Sequence, residues 1–335
     1  MNLGKLGQAL TAREIFDLIQ DDLVQVERKI SVESVASVDA VTAIGQYLQS
    51  SGGKRLRPAL LLISARLAGS DSANASAIHL GAVVEMIHAA TLVHDDVIDA
   101  AETRRGRPSS NMKWGNHTCV LAGDWLYMQA FQIALRERDF QILDLLISLT
   151  QIMVEGELLQ LDRIGKIGIT EADCMELVDR KTACLFSVCA RLGAICGGGD
   201  AQIQEKLGDY AWNLGMAFQL VDDILDFTAR EKTLGKPVGG DLREGKVTLP
   251  LVYALECASP AERHLVETIL DRRSYDEVPF GRILGLLEKY EAIGRARDRA
   301  QAFTEKSRQI ISEFPDSRYQ RALLAVTELV TERDH

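Results

Sequence analysis

Apolar residues recur every three to four positions along most of this chain, and that spacing is typical of packed helices. The segments TAREIFDLIQDDLVQVERKI (11–30) and QILDLLISLTQIMVEGELLQL (141–161) are examples. Alternating β-branched residues bounded by turn pairs, which would predict strands, are missing. We therefore predict an all-α fold. The breaks between helices are too short to serve as linkers, so residues 1–335 are expected to form a single domain.

Two of the predicted helices are apolar around most of their circumference, which favours a place at the centre of a bundle. One is AIHLGAVVEMIHAATLVHDDVID (77–99) and the other is YAWNLGMAFQLVDDILDF (210–227). Burying an unpaired carboxylate is costly, so acidic groups at the ends of such helices require compensation. Both helices end in the same pattern of three aspartates, Asp95-Asp96-x-x-Asp99 and Asp222-Asp223-x-x-Asp226.

The spacing of these aspartates favours a metal site. Residues four apart share a helix face, so Asp95 projects with Asp99. The same holds for Asp222 and Asp226. Like charges at that separation repel unless a cation lies between them, and a ligand set made only of carboxylates suits Mg²⁺. The alternatives are solvated helix ends or a structural calcium site, although the glycine and spacing of an EF-hand loop are absent.

Basic residues are concentrated in the breaks next to these helices and inside one apolar stretch, RKTACLFSVCARLGAIC (180–196). Arginine forks and lysine ammonium groups are suited to binding diphosphates. The plainer explanations are a solvated loop, or a helix C-terminus capped by Gly106 whose arginines complement the helix dipole. The candidate cations are Lys54, Arg55, Arg57, Arg104, Arg105, Lys181, Lys236 and Lys246.

Composition narrows the class of function. A formal net charge of −10 argues against nucleic acid as the main partner, and 47% hydrophobic residues are enough for a sizeable core. No apolar run reaches the roughly 18 residues of a membrane span, and the N-terminal residues lack the apolar core of a signal peptide. The six cysteines are scattered without a CxxC pair, as expected for reduced thiols. We expect a cytoplasmic protein.

These motifs resemble those of the trans-polyprenyl diphosphate synthases, the head-to-tail isoprenoid synthases. The segments that carry the resemblance occur in the family's order and span roughly residues 50–250: GGKRLRP, HDDVIDAAETRRGRP, AGDWL, GELLQL, RKTACLF, FQLVDDILDF and GKPVGGDLREGKVTLP. The resemblance implies an all-α helical bundle around a deep central cavity, assembled as a homodimer. It also implies a Mg²⁺-dependent prenyltransferase that condenses an allylic diphosphate with successive molecules of isopentenyl diphosphate.

The family's residue roles carry over to the matching positions of this sequence. The ligands of Mg²⁺ would be Asp95, Asp99 and Asp222, with water-mediated or minor roles for Asp96, Asp223 and Asp226. The allylic diphosphate would be bound by Arg104, Lys181, Lys236 and Lys246. Isopentenyl diphosphate would be bound by Lys54, Arg57, His88 and Arg105. Oxygen atoms of Thr182 and Gln219 would point towards the reacting carbons of the allylic substrate.

Product length is expected to depend on the residues just before the first aspartates. Short-chain members of the family resemble one another in placing an aromatic residue about one helical turn, roughly 5.4 Å, before that motif, where it blocks the growing tail. This chain has Ala90 and Thr91 there, which predicts a long-chain product of the kind used in quinone side chains. Close helix packing is the alternative explanation for Ala90. Candidates for the cavity floor are Trp125, Tyr127, Met128 and Phe131.

The sequence leaves other functions open. A shorter-chain synthase, making farnesyl or geranylgeranyl diphosphate, would share the same motifs. The dipeptide His94-Asp95 raises a metal phosphohydrolase, but that class uses several histidine ligands and the chain has only 6 histidines. A non-catalytic subunit of a heteromeric synthase is disfavoured by the intact aspartates. A terpene cyclase would also share the first aspartate motif, but it has no need of cations such as Lys54 and Arg57. For His88 the alternative to a ligand-binding role is a histidine packed in the core.

Overall fold

The computed structural model of the protein describes residues 11–50, 52–53, 55–70, 74–228 and 238–331. Within these ranges the chain is almost entirely helical, which confirms the predicted all-α class. In chain order the helices are α1 (Ala12–Asp17), α2 (Gln20–Glu33), α3 (Asp39–Ser50), α4 (Leu56–Ala68), α5 (Ala75–Ile98), α6 (Ser110–Trp114), α7 (Asn116–Leu135), α8 (Phe140–Arg163), α9 (Glu171–Val178), α10 (Cys184–Cys196), α11 (Ala201–Thr228), α12 (Gly240–Arg243), α13 (Leu249–Cys257), α14 (Pro260–Arg272), α15 (Phe280–Lys289), α16 (Ala292–Ser312) and α17 (Arg318–Thr331).

Two short features interrupt the helices. A π-helical turn, Asp179–Ala183, joins α9 directly to α10. Two strands of two residues each, β1 (Thr103–Arg104) and β2 (Arg107–Pro108), pair antiparallel in a hairpin between α5 and α6. The hairpin was not predicted, because strands this short carry no alternation that a sequence pattern could reveal.

The helices α5 and α11 lie at the centre of the fold, as their apolar circumference predicts. Helix α5 packs on α2, α4 and α7, while α11 packs on α10 and α16. Helix α10 contacts both α4 and α11, and a Cβ atom at Gly193 would overlap the backbone of α4, so glycine permits that close packing. All six cysteines are free thiols and four are buried, as their scattered spacing predicts.

The start of α5 is fixed by a side-chain cap. The side chain of Asn74 caps the N-terminus by accepting a hydrogen bond from the backbone N–H of Ser76 at 2.9 Å.

By length and composition α5 is the one helix among those described that could cross a membrane. In this fold 56% of its most apolar stretch is buried inside the protein, which is expected of a core helix.

Candidate active site

A cavity of about 740 Å³ lies at the ends of α5 and α11, and both aspartate motifs contribute to its wall. The acidic residues that line it include Asp95 and Asp99 from α5 and Asp222 from α11. The basic residues that line it are Arg57, Arg104, Arg105, Lys181 and Lys246. Apolar side chains, among them Leu92, Met153, Leu185 and Phe218, form the rest of the wall. One cavity therefore brings together residues that the sequence predicted as a single site.

Asp95 lies in an environment that disfavours its negative charge. Burial raises the pKa of Asp95 to about 6, with Lys181 opposing the shift and Glu157 and Asp99 adding to it. Desolvation and like charges both disfavour the ionised form of a carboxyl group. A cation bound beside Asp95 and Asp99 would relieve both effects.

The three remaining aspartates of the motifs do not line this cavity. Asp96 is fully buried and accepts hydrogen bonds from Arg104 Nε at 2.6 Å and from the backbone N–H of Ser110 at 3.1 Å. Asp226 is also fully buried and accepts one from the backbone N–H of Asp241 at 3.1 Å. Asp96 and Asp226 therefore hold the segments that follow α5 and α11. The sequence had predicted metal-related roles for them and not this one.

Asp223 lines a smaller cavity of about 170 Å³ beside the main one. Burial raises the pKa of Asp223 well above its usual range, and Asp241 and Asp222 add to the shift, while the hydrogen bond from Gln219 Nε2, at 3.0 Å, opposes it. Gln219 in turn accepts a hydrogen bond from Thr182 Oγ1 at 2.8 Å. These two hydrogen bonds orient the amide of Gln219 so that its oxygen faces Thr182, and both residues line the main cavity.

The donor set of the main cavity fits Mg²⁺. No three histidine, cysteine, aspartate or glutamate side chains in the described ranges are arranged to hold a metal ion by themselves. Mg²⁺ does not need such a cage, because it binds through one or two carboxylates and completes its coordination with water and substrate phosphates. Asp95, Asp99 and Asp222 supply hard oxygen donors around one cavity that is wide enough for phosphate groups.

The π-helical turn carries Lys181 and Thr182 into the cavity. The ammonium group of Lys181 lies 3.0 Å from Glu157 Oε2 and 2.9 Å from Gln160 Oε1, both on α8. Glycines on either side make room for the wide turn: a Cβ atom at Gly156 would lie 2.7 Å from the Cβ of Arg180, and one at Gly215 would lie 2.7 Å from the Cα of Ala183. π-turns are frequent at functional sites, and this one places two predicted site residues together.

Lys246 links the loop after α12 to the first aspartate motif. Its ammonium group lies 3.1 Å from Asp99 Oδ2 and 2.8 Å from Glu244 Oε2. Burial alone would lower the pKa of Lys246, but Asp99 and Glu244 outweigh burial and raise it above its usual range. The lysine therefore stays charged in the cavity wall.

A second group of cations lies around His88. Burial lowers the pKa of His88 well below its usual range, and the guanidinium groups of Arg57, Arg104 and Arg105 lower it further. Arg57 lies 5.4 Å from the centroid of the Phe186 ring, and its Nε is buried without a hydrogen-bond partner among the described residues. A neutral imidazole among guanidinium groups is an environment suited to an anionic ligand.

Sequence reasoning missed some of the site and two of its predictions cannot be placed. Lys54 and Lys236 lie outside the described residues. Arg55 forms an ion pair with Glu85 at 2.9 Å and does not line the cavity. Glu157 was not predicted, because the motif that contains it gives no sign of which acidic residue will face Lys181.

The residues expected to set product length are arranged differently from the prediction. Thr91 and Tyr127 line the main cavity. Ala90 is fully buried, as are Ile87, Val83 and Val84 earlier on the same helix, and none of these residues lines the cavity. Trp125, Met128 and Phe131 line a separate groove on the outer side of α7, and Met128 is 63% exposed. A floor role for Phe131 is therefore not supported by this arrangement.

Comparison with known proteins identifies the family. The model of the polyprenyl synthetase family matches residues 38–284. The chain is 35% identical to the octaprenyl diphosphate synthase of Haemophilus influenzae, over 99% of this chain and 100% of that protein. The crystal structure of a polyprenyl synthase from Caulobacter crescentus, complexed with calcium and isoprenyl diphosphate, is similar with a TM-score of 0.92 at 35% identity, covering 98% of this chain and 100% of that one.

Similarity extends to relatives that make short products. The short chain isoprenyl diphosphate synthase of Methanothermobacter thermautotrophicus is 34% identical, over 96% of this chain and 99% of that protein. Overall identity therefore does not fix the length of the product. The matched family model and the full-length relatives show that this chain belongs to the polyprenyl synthetase family and is a prenyltransferase.

Proposed function

We propose that the protein condenses an allylic diphosphate with successive molecules of isopentenyl diphosphate and releases a long-chain all-trans polyprenyl diphosphate. The observation that carries this proposal is one cavity lined by both aspartate motifs, by two groups of cations and by an apolar wall. The whole-length similarity to an octaprenyl diphosphate synthase supports a long product. Use of that product in quinone side chains, by a single-domain cytoplasmic enzyme, is part of the same proposal.

The cofactor of this reaction is proposed to be Mg²⁺, held by Asp95, Asp99 and Asp222. When bound, the ion would supply electrophilic assistance by neutralising the negative charge of the leaving diphosphate. The Caulobacter crescentus structure, a complex with calcium and isoprenyl diphosphate, supports a divalent cation at such a site. The buried aspartates Asp96 and Asp226 would act by holding the neighbouring segments.

The two groups of cations are proposed to bind the two substrates separately. Lys181, Lys246 and Arg104 lie beside the carboxylates and would bind the allylic diphosphate. The resemblance to the family adds Lys236 to this group. Arg57, His88 and Arg105 would bind isopentenyl diphosphate together with Lys54. This division keeps the reacting carbons of the two substrates between the groups, next to Thr182 and Gln219.

The residues of the chain then support each bond change. The allylic carbon–oxygen bond breaks and its electron pair leaves with the diphosphate, whose negative charge Lys181 and Lys246 stabilise. The double bond of isopentenyl diphosphate forms the new carbon–carbon bond with the allylic carbon. A proton is lost to the departing diphosphate, and a new double bond forms. Apolar side chains such as Leu185 and Phe218 exclude water that would otherwise capture the cationic carbon.

A homodimer is proposed from an apolar stripe on the outer faces of α7 and α8. Exposed apolar residues recur every seven positions along each helix, which keeps them on one face. The stripe comprises Leu121, Met128 and Leu135 on α7 with Phe140 and Ile147 on α8, and it continues along α8 through Val154 and Leu161, which also line the main cavity. A contiguous exposed apolar surface of this kind marks an interaction site, and the same two helices of a second copy would cover it around a two-fold axis.

The proposed function is tested by sizing the products. Purified protein incubated with Mg²⁺, farnesyl diphosphate and isopentenyl diphosphate should release chains well beyond geranylgeranyl length, because Thr91, one turn before Asp95, lines the cavity in place of an aromatic residue that would block the tail. Chromatography of the dephosphorylated products against polyprenol standards measures this. Release of phosphate without a new carbon–carbon bond would support a phosphohydrolase, and a farnesyl or geranylgeranyl product would support the shorter-chain alternative.

Loss of a proposed metal ligand should abolish most of the turnover. Asp95→Ala and Asp222→Ala are each expected to lower kcat by about 100-fold or more, because stabilisation of the leaving charge is usually the largest single catalytic contribution. Steady-state rates at saturating Mg²⁺ measure the effect. Asp271→Ala, at an exposed position of α14, serves as the control and should leave kcat unchanged. Normal turnover in both site variants would contradict the metal assignment.

Product length should respond to bulk at Thr91. Thr91→Phe places an aromatic ring in the cavity wall, so the product should shorten while the first condensation continues. Ala90 is a poorer test, because a large side chain at a fully packed position costs about 1–3 kcal/mol in strain. Thr91→Val keeps the size of the side chain and should leave the product distribution unchanged. An unchanged distribution for Thr91→Phe would show that the tail does not pass this residue.

Charge in the apolar stripe should separate the two copies. The double variant Leu121→Glu with Ile147→Glu is expected to convert a dimer to a monomer, because like charges would be buried at the two-fold contact. Sedimentation velocity measures the mass in solution. Leu284→Glu, at an exposed leucine of α15 outside the stripe, is the matched control and should remain dimeric. A wild type that sediments as a monomer would contradict the proposed homodimer.

A further inference from the structure

The hairpin that carries Arg104 and Arg105 is held from its outer side by a cluster of four side chains. This cluster, named here the Tyr47 cluster, comprises Tyr47 on α3, Arg107 on β2, and Lys113 and Trp114 on α6. The guanidinium carbon of Arg107 lies 4.2 Å from the centroid of the Tyr47 ring. The ammonium nitrogen of Lys113 lies 4.3 Å from the same centroid. The Trp114 ring meets the Tyr47 ring edge to face at 5.1 Å. Such contacts are favourable for cations and aromatic rings alike.

Hydrogen bonds join the hairpin to α3 and to the loop that follows it. The hydroxyl group of Tyr47 donates to the carbonyl oxygen of Pro108 at 2.7 Å. Arg107 Nη1 donates to Ser50 Oγ at 3.3 Å, and Arg105 Nη1 donates to the carbonyl oxygen of Gly52. The tip and the second strand of the hairpin are thus bonded to Tyr47, Ser50 and Gly52.

The two arginines of the hairpin are secured in different ways. Arg104 is paired with the buried carboxylate of Asp96 through Nε at 2.6 Å, so its place is fixed by α5. Arg105 stands at the tip of the hairpin with a positive φ of 52° and has Gly52 as its hydrogen-bonded partner. The place of Arg105 therefore depends on how the hairpin docks on α3, and that docking is made by the Tyr47 cluster.

None of the four residues of the Tyr47 cluster lines the main cavity. We propose that Tyr47 is a positioning residue for isopentenyl diphosphate, which it affects by docking the hairpin so that Arg105 faces that substrate. The inference rests on the proposed function, since it assigns Arg105 to isopentenyl diphosphate. A purely structural role for the cluster would lower stability and would affect both substrates equally.

The test removes one hydroxyl group. Tyr47→Phe keeps the ring that stacks with Arg107 and Lys113 but loses the hydrogen bond to Pro108. We expect the KM for isopentenyl diphosphate to rise about fivefold, the loss of one typical hydrogen bond, with kcat and the KM for the allylic diphosphate unchanged. Calorimetric titration with isopentenyl diphosphate should give a Kd that rises by the same factor.

Tyr319→Phe is the matched control. Arg318 lies 4.7 Å from the Tyr319 ring centroid and donates to its hydroxyl group at 2.6 Å. Tyr319→Phe therefore also removes one hydrogen bond of a tyrosine that lies beside a cation, on a helix that does not contribute to the cavity. This variant should behave as wild type in every measurement. The positioning role is overturned if Tyr47→Phe leaves the affinity for isopentenyl diphosphate unchanged, or if both KM values rise together. A wild type that binds isopentenyl diphosphate without forming product would count against the proposed function alone, because the Kd ratio still decides the role of Tyr47.

Discussion

The site depends on the placing of carboxylates at the ends of two apolar core helices. Burial disfavours their charge, as the raised pKa of Asp95 shows. The chain compensates with cations from other elements: Lys181 on the π-helical turn lies near Asp95, and Lys246 lies 3.1 Å from Asp99. The wall of the cavity therefore combines acidic and basic groups with apolar side chains. This combination suits a substrate with a charged head and a hydrocarbon tail.

In each aspartate motif some carboxylates stabilise the fold and others line the cavity. Asp96 and Asp226 are fully buried and bind the segments that follow their helices, through Arg104 and through the backbone N–H of Asp241. Asp95, Asp99 and Asp222 face the cavity. Each motif therefore has two roles. Its fully buried aspartate anchors the segment that follows the helix, and its cavity-lining aspartates leave oxygen donors facing the cavity.

The sequence predicted what periodicity and local spacing encode. Helical class, the central place of α5 and α11 and the meeting of the two motifs all follow from apolar patterns that end in charge. Contacts between distant segments could not be predicted in this way. The Tyr47 cluster joins α3 to a hairpin too short to leave a pattern, and Ala90 is fully buried on a helix that packs against α2, α4 and α7. Full burial of Ala90 favours helix packing, the alternative that the sequence left open.

The proposed function requires that the carboxylates and the two groups of cations form a single site with separate places for two diphosphates. The most direct measurement is a crystal structure with Mg²⁺, an allylic thiolodiphosphate that cannot ionise, and isopentenyl diphosphate. The account predicts Mg²⁺ between the allylic diphosphate and Asp95, Asp99 and Asp222, with the second diphosphate bound by Arg57 and Arg105. Both diphosphates bound at the same group of cations, or Mg²⁺ bound away from these three aspartates, would contradict it.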